Sequence, residues 1–357
     1  MDDKSLESGR VARWIALLVL LLIPHFAFAA CADEAKSIKE AVDEWAGDSA
    51  LLKAQYDKAS ALLQKDDKCA LAMAQLSRIV RKAGYLKGDQ FRPESLAKSK
   101  TLALQAVQLD PDCYLCQWEL AHVYLYLSDA PEFNATLIQV RNAEKTPLHR
   151  VYTQALEANF YRFVNKDYAK AAQLAEAIQG DEEIYIHLYK VEIQQHAYRK
   201  LGKLELAEAT YQEQIKLQPT AWVYGDYAAF LTGSLKQHDK AITYARKSLA
   251  LMDYPLGHVK LSSALSNKAY DLIKAGDLKG SIPLNEEAYK ENQDNHFASN
   301  NLGYVYREMA LKGADSWETH MEYKEKSVDW YGKTLSSDPK NDYARRELEG
   351  IKLWKVK

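Results

Sequence analysis

Two cysteines with two residues between them, in Cys113-Tyr114-Leu115-Cys116, are the one place in this chain where residue type and spacing bring a definite chemistry. They follow Asp110-Pro111-Asp112, so the pair falls at or near a helix N-terminus, where free N–H groups and the helix dipole lower a thiol pKa and favour the thiolate. Thiol–disulfide exchange is one reading. A local disulfide, or two buried thiols, is the plainer one and the expectation here, because no βαβ pattern surrounds the motif and no second C-x-x-C completes a zinc site.

The remaining inventory argues against other chemistry. The chain has no G-x-x-x-x-G-K-[ST], no G-x-G-x-x-G after a strand, no H-E-x-x-H and no G-x-S-x-G. Its 9 histidines are scattered without ligand spacing, and the pairs Glu182-Glu183 and Glu286-Glu287 read as solvated helix faces. The expectation is a protein that is not an enzyme, with no catalytic residues, no metal and no cofactor. A net charge of −2 without a basic stripe gives no reason to expect nucleic acid as a partner.

Residues 1–29 have the order of a secretory signal peptide: Arg10 and Arg13, an apolar run from Trp14 to Ile23, then Pro24 and Ala27-Phe28-Ala29 as an A-x-A cleavage site. The apolar run is short of the roughly 20 residues needed to cross a bilayer, so cleavage and an exported, periplasmic protein are expected. A retained anchor is the opposing reading, since Asp2, Asp3 and Glu7 weaken the charge bias. Phe28-Ala29-Ala30-Cys31 also resembles a degraded lipoprotein box, with Phe28 where an aliphatic residue is usual; lipidation of Cys31 would make an outer-membrane lipoprotein. A membrane is expected as a partner only if Cys31 is lipidated or the signal is retained. If Cys31 is lipidated, Cys69 has no obvious partner outside the C-x-x-C; if not, Cys31 and Cys69 can pair.

The elements that must position any site are helices. With 9 Pro and 15 Gly in 357 residues there is little material for turns, while residues that lose little entropy in a helix dominate. Self-similarity then sets the architecture. Tyr198, Gly202, Ala207, Tyr211 and Pro219 form one unit; Ala241 lies 34 residues after Ala207, and Ala245 follows. Leu120-Ala121 with Tyr124, and Leu302-Gly303 with Tyr306, repeat a small residue with an aromatic three later. Helix stops recur as Asp110-Pro111, Gln218-Pro219 and Asp338-Pro339.

This pattern resembles the tetratricopeptide repeat family, whose units are helix-turn-helix pairs of period 34. Small residues let two helices approach, aromatics fill the ridges between them, and proline cannot extend the preceding helix. About seven units are expected: 69–111 with an insertion near 84–93, 114–147, a degenerate 148–180, 183–218, 220–255, 261–294, and 295–339 with an insertion near 312–318. Residues 30–68 read as an additional N-terminal helical pair, 69–340 as the array, and 341–357 as a capping helix. The fold class expected is all-α, a right-handed superhelical solenoid of antiparallel helix pairs with no sheet.

The resemblance implies a concave groove lined by the first helix of each unit. Carried onto this chain it gives Trp118, His122, His196, Arg199, Phe230, Tyr270, Asn300, Tyr304 and Arg307 as the partner-binding groove. Asn267, Asn300 and Asn301 lack the matching basic residues of a carboxylate clamp, so a C-terminal acidic peptide is not supported. The function expected is a non-catalytic interaction scaffold or assembly factor of the bacterial cell envelope, binding other envelope proteins or peptides. A periplasmic small-ligand-binding or transporter-associated protein is the alternative.

Overall fold

A computed structural model of the protein describes residues 31–45, 47–87, 90–179 and 183–354; the signal peptide expected at 1–29 and Glu182 lie outside them. The chain divides into two compact units, one ending at Thr210 and the other beginning at Tyr211.

In the first unit, α1 (residues 31–43) and α2 (Ser49–Lys65) precede α3 (Ala70–Ala83), α4 (Pro93–Leu109), α5 (Tyr114–Tyr126), α6 (Ala130–Asn142), α7 (Pro147–Phe160), α8 (Tyr168–Glu176) and α9 (Ile184–Lys200). The next helix, α10 (Leu204–Leu217), begins in the first unit and ends in the second. The second unit continues with α11 (Ala221–Phe230), α12 (His238–Leu251), α13 (Pro255–Lys274), α14 (Leu278–Glu291), α15 (His296–Lys312), α16 (Trp317–Ser337) and α17 (Asp342–Lys352). From α2 to α9 and again from α11 to α17 each helix packs on the next, and the first helices of successive pairs also meet: α3 on α5, α5 on α7, α7 on α9, then α11 on α13, α13 on α15 and α15 on α17. That double contact, to the next helix and to the next but one, makes each unit a solenoid of helix pairs.

Local sequence explains where the helices begin. Pro93, Pro147 and Pro255 each occupy a first helical turn, where the missing N–H costs nothing. Side-chain oxygens of Thr146, Thr220, Asp277, Asn295, Ser316 and Asn341 cap free N–H groups of the helices that follow them. Between the two helices of a pair the chain turns through one left-handed residue, at Ser128 (φ 56°), Lys166 (58°), Gly202 (72°), Lys236 (57°) and Gly276 (86°). The turn keeps its geometry although only two of the five residues are glycine. Before Lys166 and Lys236, a π-helical turn ends the first helix, at Tyr161–Asn165 and Leu231–Leu235.

Small residues set the helix spacing. Ala121, Ala207 and Ala241 are fully buried, and a Cβ on Gly303 would come within 2.7 Å of the Tyr331 ring. Larger side chains close around them, as where Phe133 of α6 stacks on Phe160 of α7 at 4.2 Å.

One expectation is corrected. The insertion between α3 and α4 forms an antiparallel hairpin of β1 (Tyr85–Lys87) and β2 (Gln90–Phe91), the only sheet among the described residues. Tyr85 and Phe91 suit extended backbone and pair across the hairpin with ring centroids 5.7 Å apart. Phe91 also meets Tyr126 at 4.6 Å, which ties the hairpin to α5. Aromatic burial thus gives this short segment a reason to be a strand pair, a reason that the helical repeat pattern does not contain.

Candidate functional site

The first helices of the first unit carry a row of cationic and aromatic side chains. On α3, Arg78 and Arg81 lie three apart and face α5. Arg81 is held by both oxygens of Glu119, Nε to Oε1 at 3.0 Å and Nη2 to Oε2 at 2.7 Å, with its guanidinium 5.3 Å from the Tyr126 ring centre. Arg78 is almost fully buried, pairs with Asp43 of α1, and sits over the rings of Trp118 at 5.7 Å and Tyr185 at 5.0 Å. A buried cation is tolerable only with such compensation.

Next to them Lys82 has no carboxylate within salt-bridge distance among the described residues; its ammonium lies 4.9 Å from the Trp45 ring centre. Removal from water, reinforced by the charges of Arg78 and Arg81, pushes its pKa down to about 7, while the face of the Trp45 ring works in the opposite direction.

Behind this layer runs a directed chain of hydrogen bonds. Arg162 Nε donates to Asn159 Oδ1 at 2.6 Å, and Asn159 Nδ2 donates to the Tyr189 hydroxyl at 2.6 Å. Tyr189 lies 3.0 Å from His122 Nε2, and His122 Nδ1 lies 3.1 Å from the Trp118 carbonyl. A carbonyl only accepts, so Nδ1 carries the proton and Nε2 accepts from Tyr189. Burial, with the charge of Arg81 adding to it, holds the imidazole pKa well below its ordinary value, in keeping with a neutral ring. At the edge, Lys39 Nζ donates to the Tyr152 hydroxyl at 3.0 Å, which donates to Glu183 at 3.1 Å. Burial pushes the phenol of Tyr185 up to about 12.

These facts relocate several residues of the expected groove. Trp118 and His122 are each 2% exposed; they are walls of this packed cluster, because α7 and α9 supply Tyr152, Tyr185 and Tyr189 against them. Phe230 is fully buried, stacked on Tyr211 at 4.9 Å, and so belongs to the core of the second unit. Arg307 of α15 pairs with Glu347 of α17 at 2.6 Å, which gives it an intramolecular partner, and Tyr304 is half-buried against the cluster of Leu302 and Val305. Asn300 is half-buried. The residues that stay accessible are Arg199, exposed, Tyr270, 41% exposed, and His196, half-buried with its ring 5.6 Å from Tyr168. Tyr270 meets Phe297 of the next first helix at 5.5 Å, so it lies on the seam between first helices.

Sequence reasoning missed Arg78, Arg81, Lys82, Tyr185 and Tyr189. Their spacing, i and i+3 or i+4 on first helices, was a usable signal; what concealed them was that they read equally well as solvated charge and packing aromatics.

All four cysteines are in disulfides, Cys31–Cys69 and Cys113–Cys116. The C-x-x-C is thus bridged, and Cys31 and Cys69 pair, as the sequence allowed for an unlipidated Cys31. No group of three or more His, Cys, Asp or Glu among the described residues is arranged to hold a metal, and no described helix is long and apolar enough to cross a membrane.

Within each unit the helix pairs stack so that their first helices meet in succession, the architecture of a repeat protein. The tetratricopeptide repeat family model matches residues 196–220, which run from late α9 through α10, so that segment carries one such repeat. No curated protein matches it. Among solved structures it is similar to the C-terminal part of a TPR repeat-containing protein from Cytophaga hutchinsonii, with 16% identity, coverage of 77% of this chain and 99% of that one, and a TM-score of 0.51. At that identity the likeness is one of fold alone. A chain of the APC/C Cut9–Hcn1 hetero-tetramer matches at 10% identity over 84% of this chain with a TM-score of 0.49, and this chain spans only 52% of its length.

Proposed function

We propose that this protein is a non-catalytic scaffold of the bacterial cell envelope that holds partner polypeptides along the face of its first helices. The observation that supports it is continuity within each unit: α11, α13, α15 and α17 meet in succession, as do α3, α5, α7 and α9, so each unit presents side chains in a row at repeat spacing. On the second unit that row includes Tyr270 beside Phe297, with Lys274 Nζ 4.8 Å from the Tyr270 ring centre. An exposed aromatic flanked by a cation is the kind of group that dominates binding energy. Export is supported by the order of residues 1–29 and by two disulfides, bonds that persist in oxidising compartments. A small-molecule receptor has less to recommend it, since the first-helix face of the first unit is filled by its own side chains.

The test is site-specific photo-crosslinking in intact cells, with the probe placed at Tyr270 on a first helix or at Leu251, which is exposed on α12. A discrete adduct from position 270 and none from 251 is expected, in the fraction that holds envelope proteins. Equal labelling from both positions, or a chain found only in the cytosol, would sink the reading.

A further inference from the structure

Beside the N-terminus of α5 the first unit has a cleft of about 300 Å³, with Cys113 on its wall and Ala32, Ala70, Leu71 and Leu115 forming its apolar lining. The two sulfurs of the C-x-x-C differ in their access to it. Cys113, 7% exposed, borders the cleft, as does Cys31 of the other bridge, whereas Cys116 is fully buried and does not. Of the two sulfurs of this bridge, Cys113 Sγ is the one on the side from which a thiolate in the cleft would approach.

The local geometry also prepares Cys113 to hold negative charge. It is the N-cap residue of the 13-residue α5, and its Sγ accepts from the Cys116 N–H at 3.1 Å. When the bridge opens, that N–H and the helix N-terminus face a thiolate on Cys113, which is the setting that lowers a thiol pKa. Asp110 and Asp112 at the cleft edge act against this, and Lys145 acts with it. His149 is not a base here: its Nδ1 accepts from the Lys145 N–H at 3.2 Å, burial pushes its pKa down, and its ring lies stacked on Tyr114 at 3.9 Å.

The bridge has little structural work to explain it. Cys113 and Cys116 are three residues apart, whereas Cys31 and Cys69 are 38 apart; a cross-link inside one helical turn removes far less freedom from the unfolded chain than one that closes a long loop.

We propose that Cys113–Cys116 is a redox-active disulfide that exchanges with cysteine pairs of polypeptides seated in this cleft. A thiolate of the polypeptide attacks Cys113 Sγ; the Cys113–Cys116 bond breaks and Cys116 leaves as a thiolate that takes up a proton. The second thiolate of the polypeptide then attacks its own sulfur in the mixed disulfide, closing the polypeptide's disulfide and releasing Cys113 as a thiolate. Two electrons pass to the chain, which ends as a dithiol, and a further protein or small-molecule disulfide reoxidises it by the reverse steps. This activity is independent of the scaffold reading and survives its failure.

The test uses the full-length oxidised chain and a synthetic reduced peptide with two cysteines flanking apolar residues. Mass spectrometry after acid quenching and alkylation should show the peptide losing two hydrogens and Cys113 and Cys116 becoming alkylatable, while Cys31–Cys69 stays closed. With Cys116→Ser, the disulfide form of the peptide should be trapped on Cys113; with Cys113→Ser, peptide oxidation should fall by about tenfold or more. Ala32→Glu, which places a charge in the cleft, should slow the peptide but not glutathione. A native chain whose Cys113–Cys116 bridge stays closed against excess peptide overturns the proposal without recourse to any variant. So does an adduct that maps to Cys31 or Cys69, and an Ala32→Glu chain that keeps the native rate refutes the cleft as the seat of the peptide.

Discussion

Gly303 of α15 lies against the ring of Tyr331 in α16, so close that a Cβ at 303 would stand 2.7 Å from Tyr331 Cδ1. Tyr331 is fully buried and has no room to withdraw. Gly303→Ala should therefore lower stability by about 1–3 kcal/mol through overpacking, even though alanine is the better helix former by about 1 kcal/mol. Chemical denaturation of the two proteins checks this; a stabilised variant would mean that α15 and α16 are farther apart than described.

The turn inside each helix pair makes a prediction of opposite sign at two equivalent places. Gly202 and Lys236 both have positive φ, 72° and 57°. Gly202→Ala should cost about 1 kcal/mol, whereas Lys236→Gly should be neutral or stabilising by up to about 1 kcal/mol. Paired urea titrations read both.

Tyr189→Phe removes the hydroxyl that joins Asn159 to His122 and leaves buried polar atoms unpartnered at both. A loss of about 1–3 kcal/mol is expected. Nitrogen NMR of His122 should show the proton on Nδ1 in the native protein. Because the folded pKa of His122 is depressed, the unfolded chain binds the proton first, and this residue's contribution to stability is fully present above the unfolded value of 6.5 and is lost as pH falls from there through the folded one.

His258 has the opposite sign. Hydrogen bonds to Glu291 and then Asp253 raise its pKa above the ordinary 6.5. Its contribution is fully present below the unfolded pKa and is lost as pH rises through the folded one. Thermal melts from about pH 6 to about pH 9 should show a decline that His258→Gln abolishes. Added salt should shrink the effect, since the site is largely open to solvent. A decline that persists in the variant assigns it to another group.

Arg307→Ala should release α17 rather than empty a binding groove, because Arg307 holds Glu347 at 2.6 Å. Hydrogen exchange is expected to rise in 342–352 with a total stability change of about 1 kcal/mol or less, the scale of a partly exposed ion pair. By contrast, Phe230→Ala should cost about 3–5 kcal/mol as a core truncation, and Tyr270→Ala should stay within about 0.5 kcal/mol.

The helical architecture was legible in the sequence because its cause is local. Asp110-Pro111, Gln218-Pro219 and Asp338-Pro339 follow helix ends, alanine and glycine at repeat spacing permit close packing, and Ala121, Ala207, Ala241 and Gly303 all occupy such contacts. The binding face was less legible. Repeat spacing puts Trp118, His122, Phe230 and Tyr270 in comparable positions on their helices, yet three are buried and Tyr270 is exposed. What separates them is the neighbour across the helix seam: Tyr152, Tyr185 and Tyr189 over Trp118 and His122, and Tyr211 over Phe230. Likewise the order Cys113-x-x-Cys116 and the preceding Asp-Pro place a thiol pair at a helix start, but its asymmetry depends on α1 and α3, whose Ala32, Ala70 and Leu71 line a cleft that Cys113 borders and Cys116 does not. By itself the sequence determined which segments are helices and how they repeat, since propensity, capping and periodicity act over a few residues. Only the tertiary structure decided which side chains on those helices meet solvent and which sulfur is within reach, since exposure is a property of what packs alongside, from residues far away in the chain.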